Sequence, residues 1–120
     1  MRRDLGLIRK MVLTIEDAPS GWAPHPLDIE GYPRAQVGYH AWLLVDAGLA
    51  RGPDTTTSDS DGPEAFISSL TWEGHEFADA ARDEGRWTKA MGEVQEKGGA
   101  VTIAVLTQLL ANLMKSAFGL

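Results

Sequence analysis

The sequence of 120 residues contains no cysteine. That excludes a disulfide framework, thiol catalysis and any cysteine-ligated zinc or iron–sulfur centre. It suits a reducing compartment, and the expected location is cytoplasmic. Long apolar runs are missing as well. After Met1-Arg2-Arg3-Asp4 the hydrophobic residues are interrupted by Arg9, Lys10 and Glu16, so no signal peptide is expected. No uncharged apolar stretch approaches the roughly 18 residues of a membrane span, so no membrane contact is expected. Positive charge is scarce: 11 Lys and Arg against 17 Asp and Glu leave a net charge of −6. A free-standing nucleic-acid binder carries a basic patch or stripe. Here the basic residues collect at the start, as Arg2, Arg3, Arg9 and Lys10.

The patterns of known chemistry are also wanting. There is no Gly-rich phosphate loop and no nucleophile elbow, and no Ser, His and Asp spacing picks out a triad. His75-Glu76-Phe77-Ala78-Asp79 has the first half of a zinc-protease helix but lacks its second histidine. His25, His40 and His75 are far apart in sequence, whereas a metal site needs three or four convergent ligands. His40 reads instead as a hydrogen-bonded residue at the core edge. Asp59-Ser60-Asp61-Gly62 matches part of a calcium loop, but the closing glutamate of that loop would fall on Leu70. Asp83-Glu84 reads as a solvated helix end. No catalytic residue, metal or cofactor is expected, and the chain is not expected to be an enzyme.

Hydrophobic residues make up 43% and charged residues 23%, the balance of one folded domain with a real core. Leu5, Ile8, Val12 and Ile15 fall at helical spacing, widened by Leu7 and Met11, with Asp4 as N-cap. Pro24-His25-Pro26 forces an extended segment, and the alternation of Leu27 and Ile29 with Asp28 and Glu30 predicts a short strand. A second helix has Pro33 in its first turn and Gly48 as a left-handed cap. Its core face is expected to be Val37, His40, Ala41, Leu44 and Ala47. Leu49–Thr57 and Phe66–Leu70 read as hairpin strands around a polar tip expected to be mobile. Thr71 caps a third helix, with Phe77, Ala80 and Ala81 inward and Trp87, Met91 and Val94 continuing the spacing. Gly85 kinks or splits it, and Lys97-Gly98-Gly99 ends it. Trp72 and Trp87 are expected in the core.

The last helix begins near Thr102. Ile103, Leu106, Leu110 and Leu113 form a heptad-like seam, flanked by Val105, Leu109, Met114 and Phe118. Lys115 is the one charged residue from Gly98 to Leu120. A helix so apolar must be covered on more than one side. The expectation is a homodimer whose contact includes Ile103, Leu106, Leu110 and Leu113, with the helix folding back within its own chain as the alternative. The domain reading is residues 1–97 as a winged-helix domain including its third helix, and 98–120 as the apolar C-terminal helix.

Helix, Ala47-Gly48-Leu49 stop, hairpin and Leu70-Thr71-x-x-Gly74 lead into the next helix is the order of a recognition helix and wing. The fold class expected is mainly α with a small β-hairpin, a winged helix-turn-helix domain with additional C-terminal helices. Such a fold commonly grips DNA, and Arg34, Gln36 and Arg51 are the residues that could do so. Yet Trp42, Leu43 and Val45 cannot read base edges, and the tip offers Asp54, Asp59, Asp61 and Glu64 to a polyanion. Tyr39, Trp42, Leu43 and Val45 are therefore expected to bind a protein partner, with Trp42 as the aromatic anchor. DNA binding is the alternative, expected to be weak.

The chain resembles the bacterial and prophage family called domain of unknown function 2513. The likeness is carried by Arg3-Asp4-Leu5-Gly6-Leu7-Ile8-Arg9-Lys10, by Gly38-Tyr39-His40 with Asp46-Ala47-Gly48-Leu49, by Leu70 to Phe77, and by Lys97-Gly98-Gly99. It covers most of the chain. It implies a small winged-helix-like protein often carried by phages, without enzyme activity, and supplies no site residues. Fold does not fix function, so function has to come from the surface.

Overall fold

A computed structural model of the chain describes all 120 residues. It is mainly helical, with five helices and one two-stranded antiparallel sheet. Helix α1 (Leu5–Glu16) starts where expected. Asp4 is extended, and its carboxylate accepts the Leu7 N–H at 3.0 Å. Leu7, Ile8, Met11, Val12 and Ile15 are buried along one face, and Leu5 is half-buried.

Residues 17–33 hold no regular element. The strand expected at Leu27–Ile29 does not form. Ile29 is buried and Leu27 half-buried, so the alternation records burial without a ladder. Pro24 and Pro26 cannot donate to a neighbouring strand, which leaves little to build one from. The segment touches the sheet earlier, where the Ala23 N–H donates to the Ser68 carbonyl at 2.8 Å.

Helix α2 (Arg34–Asp46) takes Pro33 as its N-cap residue, one position before the first turn. Val37, His40, Ala41 and Leu44 are buried. Ala47, expected on the same face, is exposed because the helix has already ended there. Gly48 adopts φ +78, its N–H bonds to the Val45 carbonyl and the Leu49 N–H to the Leu44 carbonyl. This paired closure is the Schellman arrangement that a C-terminal glycine permits.

The hairpin is shorter than its sequence suggests. Strands β1 (Ala50–Arg51) and β2 (Ser69–Leu70) pair Ala50 with Leu70 and Arg51 with Ser69. Beyond Gly52-Pro53 pairing resumes only as the bridge Asp54–Ala65, with one more residue on the returning side. That is a bulge, and it bends the ribbon. Gly52 is required there: a Cβ would lie 1.7 Å from the Phe66 carbonyl oxygen. The polar tip is knitted by its own bonds. Thr55 N–H donates to the Glu64 carbonyl, Glu64 N–H to the Thr56 hydroxyl, and Thr57 N–H to the Ser60 hydroxyl.

Helix α3 (Trp72–Ala81) is capped by Thr71, whose hydroxyl accepts the Gly74 N–H at 3.0 Å and donates to the Gly48 carbonyl at 2.6 Å. Phe77, Ala80 and Ala81 are buried as expected. Trp72 is not: it is 74% exposed, and its indole N–H reaches one turn along to Glu76 at 3.1 Å. The break expected at Gly85 falls earlier. Asp83 leaves the helical conformation and accepts the Arg86 N–H at 2.7 Å, so α4 (Glu84–Glu96) starts with Gly85 inside its first turn. Trp87, Ala90 and Val94 are buried. Thr102 caps α5 (Ile103–Ala117), which packs against α4.

The chain divides into two compact units, Met1–Ala78 and Asp79–Leu120, the division falling inside α3. The line drawn from sequence at 97/98 lies between α4 and α5. The first unit has twelve acids and six bases; the second has five of each. The entire net charge of −6 therefore belongs to the first unit. No helix is long and apolar enough to cross a membrane.

Candidate binding site

Successive α2 residues step by 100°, so the helix presents distinct stripes. The core stripe includes His40, which is fully buried. Its Nε2 accepts the Asp4 backbone N–H at 2.8 Å, so Nδ1 carries the proton and donates to the Gln36 carbonyl at 2.9 Å. His40 thus ties the start of α1 to the middle of α2, and it lies within the core, not at its edge.

The expected partner-binding residues Tyr39, Trp42, Leu43 and Val45 are all half-buried. Trp42 is engaged by the chain itself. Its indole N–H donates to Asp54 Oδ2 at 3.2 Å, and its ring lies nearly parallel to Tyr39 with centroids 6.2 Å apart. The hairpin closes on this side of α2, beside Gly38. A Cβ on Gly38 would sit 3.4 Å from the Glu64 Cβ. The Thr56 hydroxyl and then the Thr56 backbone N–H lower the Asp54 carboxyl below the ordinary aspartate value. Desolvation works the other way, and the Trp42 indole adds a smaller lowering. The hydroxyl also donates to the Glu64 carbonyl at 3.2 Å, and the Thr56 N–H donates to Asp54 Oδ1 at 2.8 Å.

The residues considered for DNA lie on two elements. Arg34 is exposed in the first turn of α2, Gln36 is half-buried beside it, and Arg51 is on β1 with its guanidinium donating to the Leu70 carbonyl at 3.0 Å. Arg34 is the one Arg or Lys on α2.

Between α2 and the hairpin lies an open cleft of about 410 Å³. Val37, Gly38 and Ala41 supply the α2 wall, with Arg34 at its start. The opposite wall is the returning chain from Glu64 to Ile67, with Thr55 across from it. His25 to Asp28 close the third side, where the His25 ring stacks on Phe66 at 4.1 Å and 11°. Sequence reasoning named Arg34 here but missed His25, Asp28 and Phe66, and read Glu64 only as a repulsive tip charge. Nothing local marks them, since three segments of chain have to meet before the cleft exists.

The three histidines have separate duties: His25 stacks on Phe66, His40 is buried in α2, and His75 on α3 lies with Nδ1 3.0 Å from Glu16 Oε2. In the last helix, Leu106 and Leu110 are fully buried in the chain itself. Of the four residues expected at a dimer contact, only the half-buried Ile103 and Leu113 keep exposed surface. Val105 and Phe118 are exposed at 57% and 74%.

An acidic hairpin folded onto a nearly uncharged helix, followed in sequence by two further helices after α3, is the architecture of a small, mainly helical α+β protein. The chain belongs to the family described as hypothetical protein (DUF2513), whose model matches residues 2–100. It is also 26% identical over 115 residues to an uncharacterised protein of Haemophilus influenzae, covering 95% of this chain and 96% of that protein. No solved structure matches it.

Proposed function

We propose that the chain is a non-enzymatic binding protein of winged-helix type, an accessory or regulatory factor that acts through protein contacts. The observation that carries this reading is the chemistry of α2. The helix that would enter a major groove has one base, Arg34, and the side next to the hairpin meets the carboxylates Asp54 and Glu64. Phosphate neutralisation supplies most nonspecific DNA affinity, and this surface has little to offer it. The winged-helix reading is supported by the order α1, α2, hairpin, α3 and by Ala23 bonding beside β2. It departs from a helix-turn-helix in having no helix within residues 17–33. The prophage setting and the cytoplasmic location rest on the resemblance and on composition alone.

A mobility-shift titration with duplex DNA tests the reading. The expected result is weak binding with a shallow salt slope, because few phosphates are contacted. Tight sequence-specific binding at physiological salt, lost in Arg34→Ala or Gln36→Ala, would overturn it in favour of a transcriptional regulator.

Self-association through α5 is a second element of the proposal, favoured by the exposure of Val105 on a helix with one charge and of Phe118 just past its end. Light scattering at high concentration should give twice the chain mass or more. A mass of 13.0 kDa would remove the dimer.

A further inference from the structure

We infer that the cleft between α2 and the returning hairpin strand receives one arginine or lysine side chain, presented by an extended segment of a partner protein. This rests on the protein-contact reading and names the site and chemistry of that contact.

The size fits: about 410 Å³ lies within the range of pockets that hold small ligands, and the cleft is open to solvent. The floor fits as well. Val37, Ala41 and Ile67 are buried apolar residues that line the cleft, suited to the methylene stem of a long basic side chain. The charge pattern then selects the head group. Asp28 and Glu64, from separate segments of chain, are the two acidic residues that line the cleft. Glu64 is fixed: Ser60 Oγ donates to its Oε1 at 3.2 Å, and its backbone bonds to Thr55 and Thr56. Phe66, held by its stack on His25, adds an aromatic face of the kind that attracts a guanidinium or ammonium. An acidic side chain would place its charge among carboxylates, and a neutral one would leave them unpaired. These groups do not form a metal cage: His25, Asp28 and Glu64 line one cleft but are not placed to hold a metal ion together.

Arg34 sets the limit on specificity. Its guanidinium offers donors to the carbonyl oxygens of a passing peptide and repels a second cation. The favoured segment therefore carries a single basic residue with neutral or acidic neighbours. The net charge of the surrounding unit steers such a segment toward the site.

Backbone-amide NMR of the full chain, titrated with N-acetyl-arginine amide, tests the inference. N-acetyl-norleucine amide and N-acetyl-glutamate amide are the comparators. The arginine probe should produce saturable shifts at Gly38, Ala65 and Ile67, with a midpoint on the order of millimolar for so small a ligand. Asp28→Asn with Glu64→Gln should weaken it by about tenfold. Asp59→Asn with Asp61→Asn, which removes the same charge from the tip outside the cleft, should change it less than about twofold. Asp28→Asn alone guards against disturbance of the tip, because no bond to the hairpin is lost.

Absence of saturable shifts, an equal response to the norleucine probe, or equal weakening by the two charge-matched pairs would overturn the inference. The last result would mean diffuse attraction and no site. None of these outcomes bears on DNA. The cleft can fail while DNA binding stays weak, which leaves the protein-contact reading standing, whereas tight sequence-specific DNA binding removes that reading itself.

Discussion

In the unit Met1–Ala78 the elements are joined by hydrogen bonds between residues remote in sequence. Asp4 meets His40, Ala23 meets Ser68, and Thr71 meets Gly48. In the unit Asp79–Leu120 the capping bonds are local: Asp83 to Arg86, Thr102 to Val105, and the Arg86 guanidinium back to the Ala80 and Asp79 carbonyls. There the two helices meet through an apolar seam centred on Leu106 and Leu110. The first unit carries all the net charge, and the second carries none. Remote polar bonds fix which residues meet, because each donor and acceptor has a specific partner and is costly to leave alone. An apolar seam stabilises without specifying nearly as much. The cleft beside α2 lies in the acidic unit, among these remote polar bonds.

The largest expected break in this contrast is Gly74→Ala. A Cβ there would lie 2.0 Å from the Leu49 carbonyl oxygen and 3.2 Å from the Leu70 Cβ. Backbone cannot yield as a flexible side chain can, so α3 would have to move off the turn that follows α2. A loss of more than about 4 kcal/mol is expected, in the class of severe overpacking. Hydrogen exchange should report it first at α2 and the hairpin. Unchanged protection there would mean that the close approach is not a constraint.

Leu110→Ala is the matching test of the second unit. The side chain is fully buried, and its loss leaves a cavity worth about 3 kcal/mol. Amide protection should fall in α4 and α5 and persist in residues 5–46. If both regions lose protection together, the two units unfold as one and the contrast holds only for their chemistry. The same experiment bears on α5 as a dimer helix, because Leu110 is interior to the chain and its variant should unfold without first dissociating.

His40→Ala probes the remote polar bonds directly. It strands the Asp4 N–H, removes a donor to the Gln36 carbonyl and empties a fully buried site. A cost of about 2 kcal/mol is expected. The signature that separates this from mere cavity formation is early fraying of α1, whose N-cap residue has lost its anchor. Equal loss along all of α1 and α2 would assign the effect to packing.

The contrast also explains what could be read in advance. Asp4, Gly48 and Thr71 act on groups a few residues away and read as caps from the sequence alone, while Thr102 marks only the start of the last helix there. Asp83 used the same local signal, but its neighbour Glu84 made the pair look like a solvated helix end, and the break was placed at Gly85. Trp72 misled for another reason: the first residue of a helix need not face the core, whatever its side chain. The long hairpin strands failed at Gly52-Pro53, where a close approach and a missing donor outweigh alternation. The cleft was illegible because residues 25–28, 34–41 and 64–67 come together only through the bulged hairpin and the His25–Phe66 stack. Trp42 shows both sides. Its outward direction followed from periodicity, while its bond to Asp54 depended on how far the hairpin bends.

The smallest expected effect concerns that bond. Asp54 titrates below the ordinary aspartate range because Thr56, and to a lesser degree Trp42, hydrogen-bond its charged form. A carboxyl lowered by folding favours the native state at neutral pH. That contribution is complete above the unfolded value and is lost as pH falls through the lower folded one. Because the group lies at the surface, solvent screens the effect, and global stability should hardly register it. The Trp42 indole should register it clearly. Its Nε1–H resonance is expected to move along a single titration whose midpoint lies below the ordinary aspartate value. Thr56→Val should raise the midpoint, since the hydroxyl is the larger cause, and Trp42→Phe should raise it less. If the indole resonance stays flat through acid pH, the hairpin does not hold α2 through this pair. The closing of the first unit over its second helix would then rest on other contacts, among them β1 with α2 and Glu64 beside Gly38.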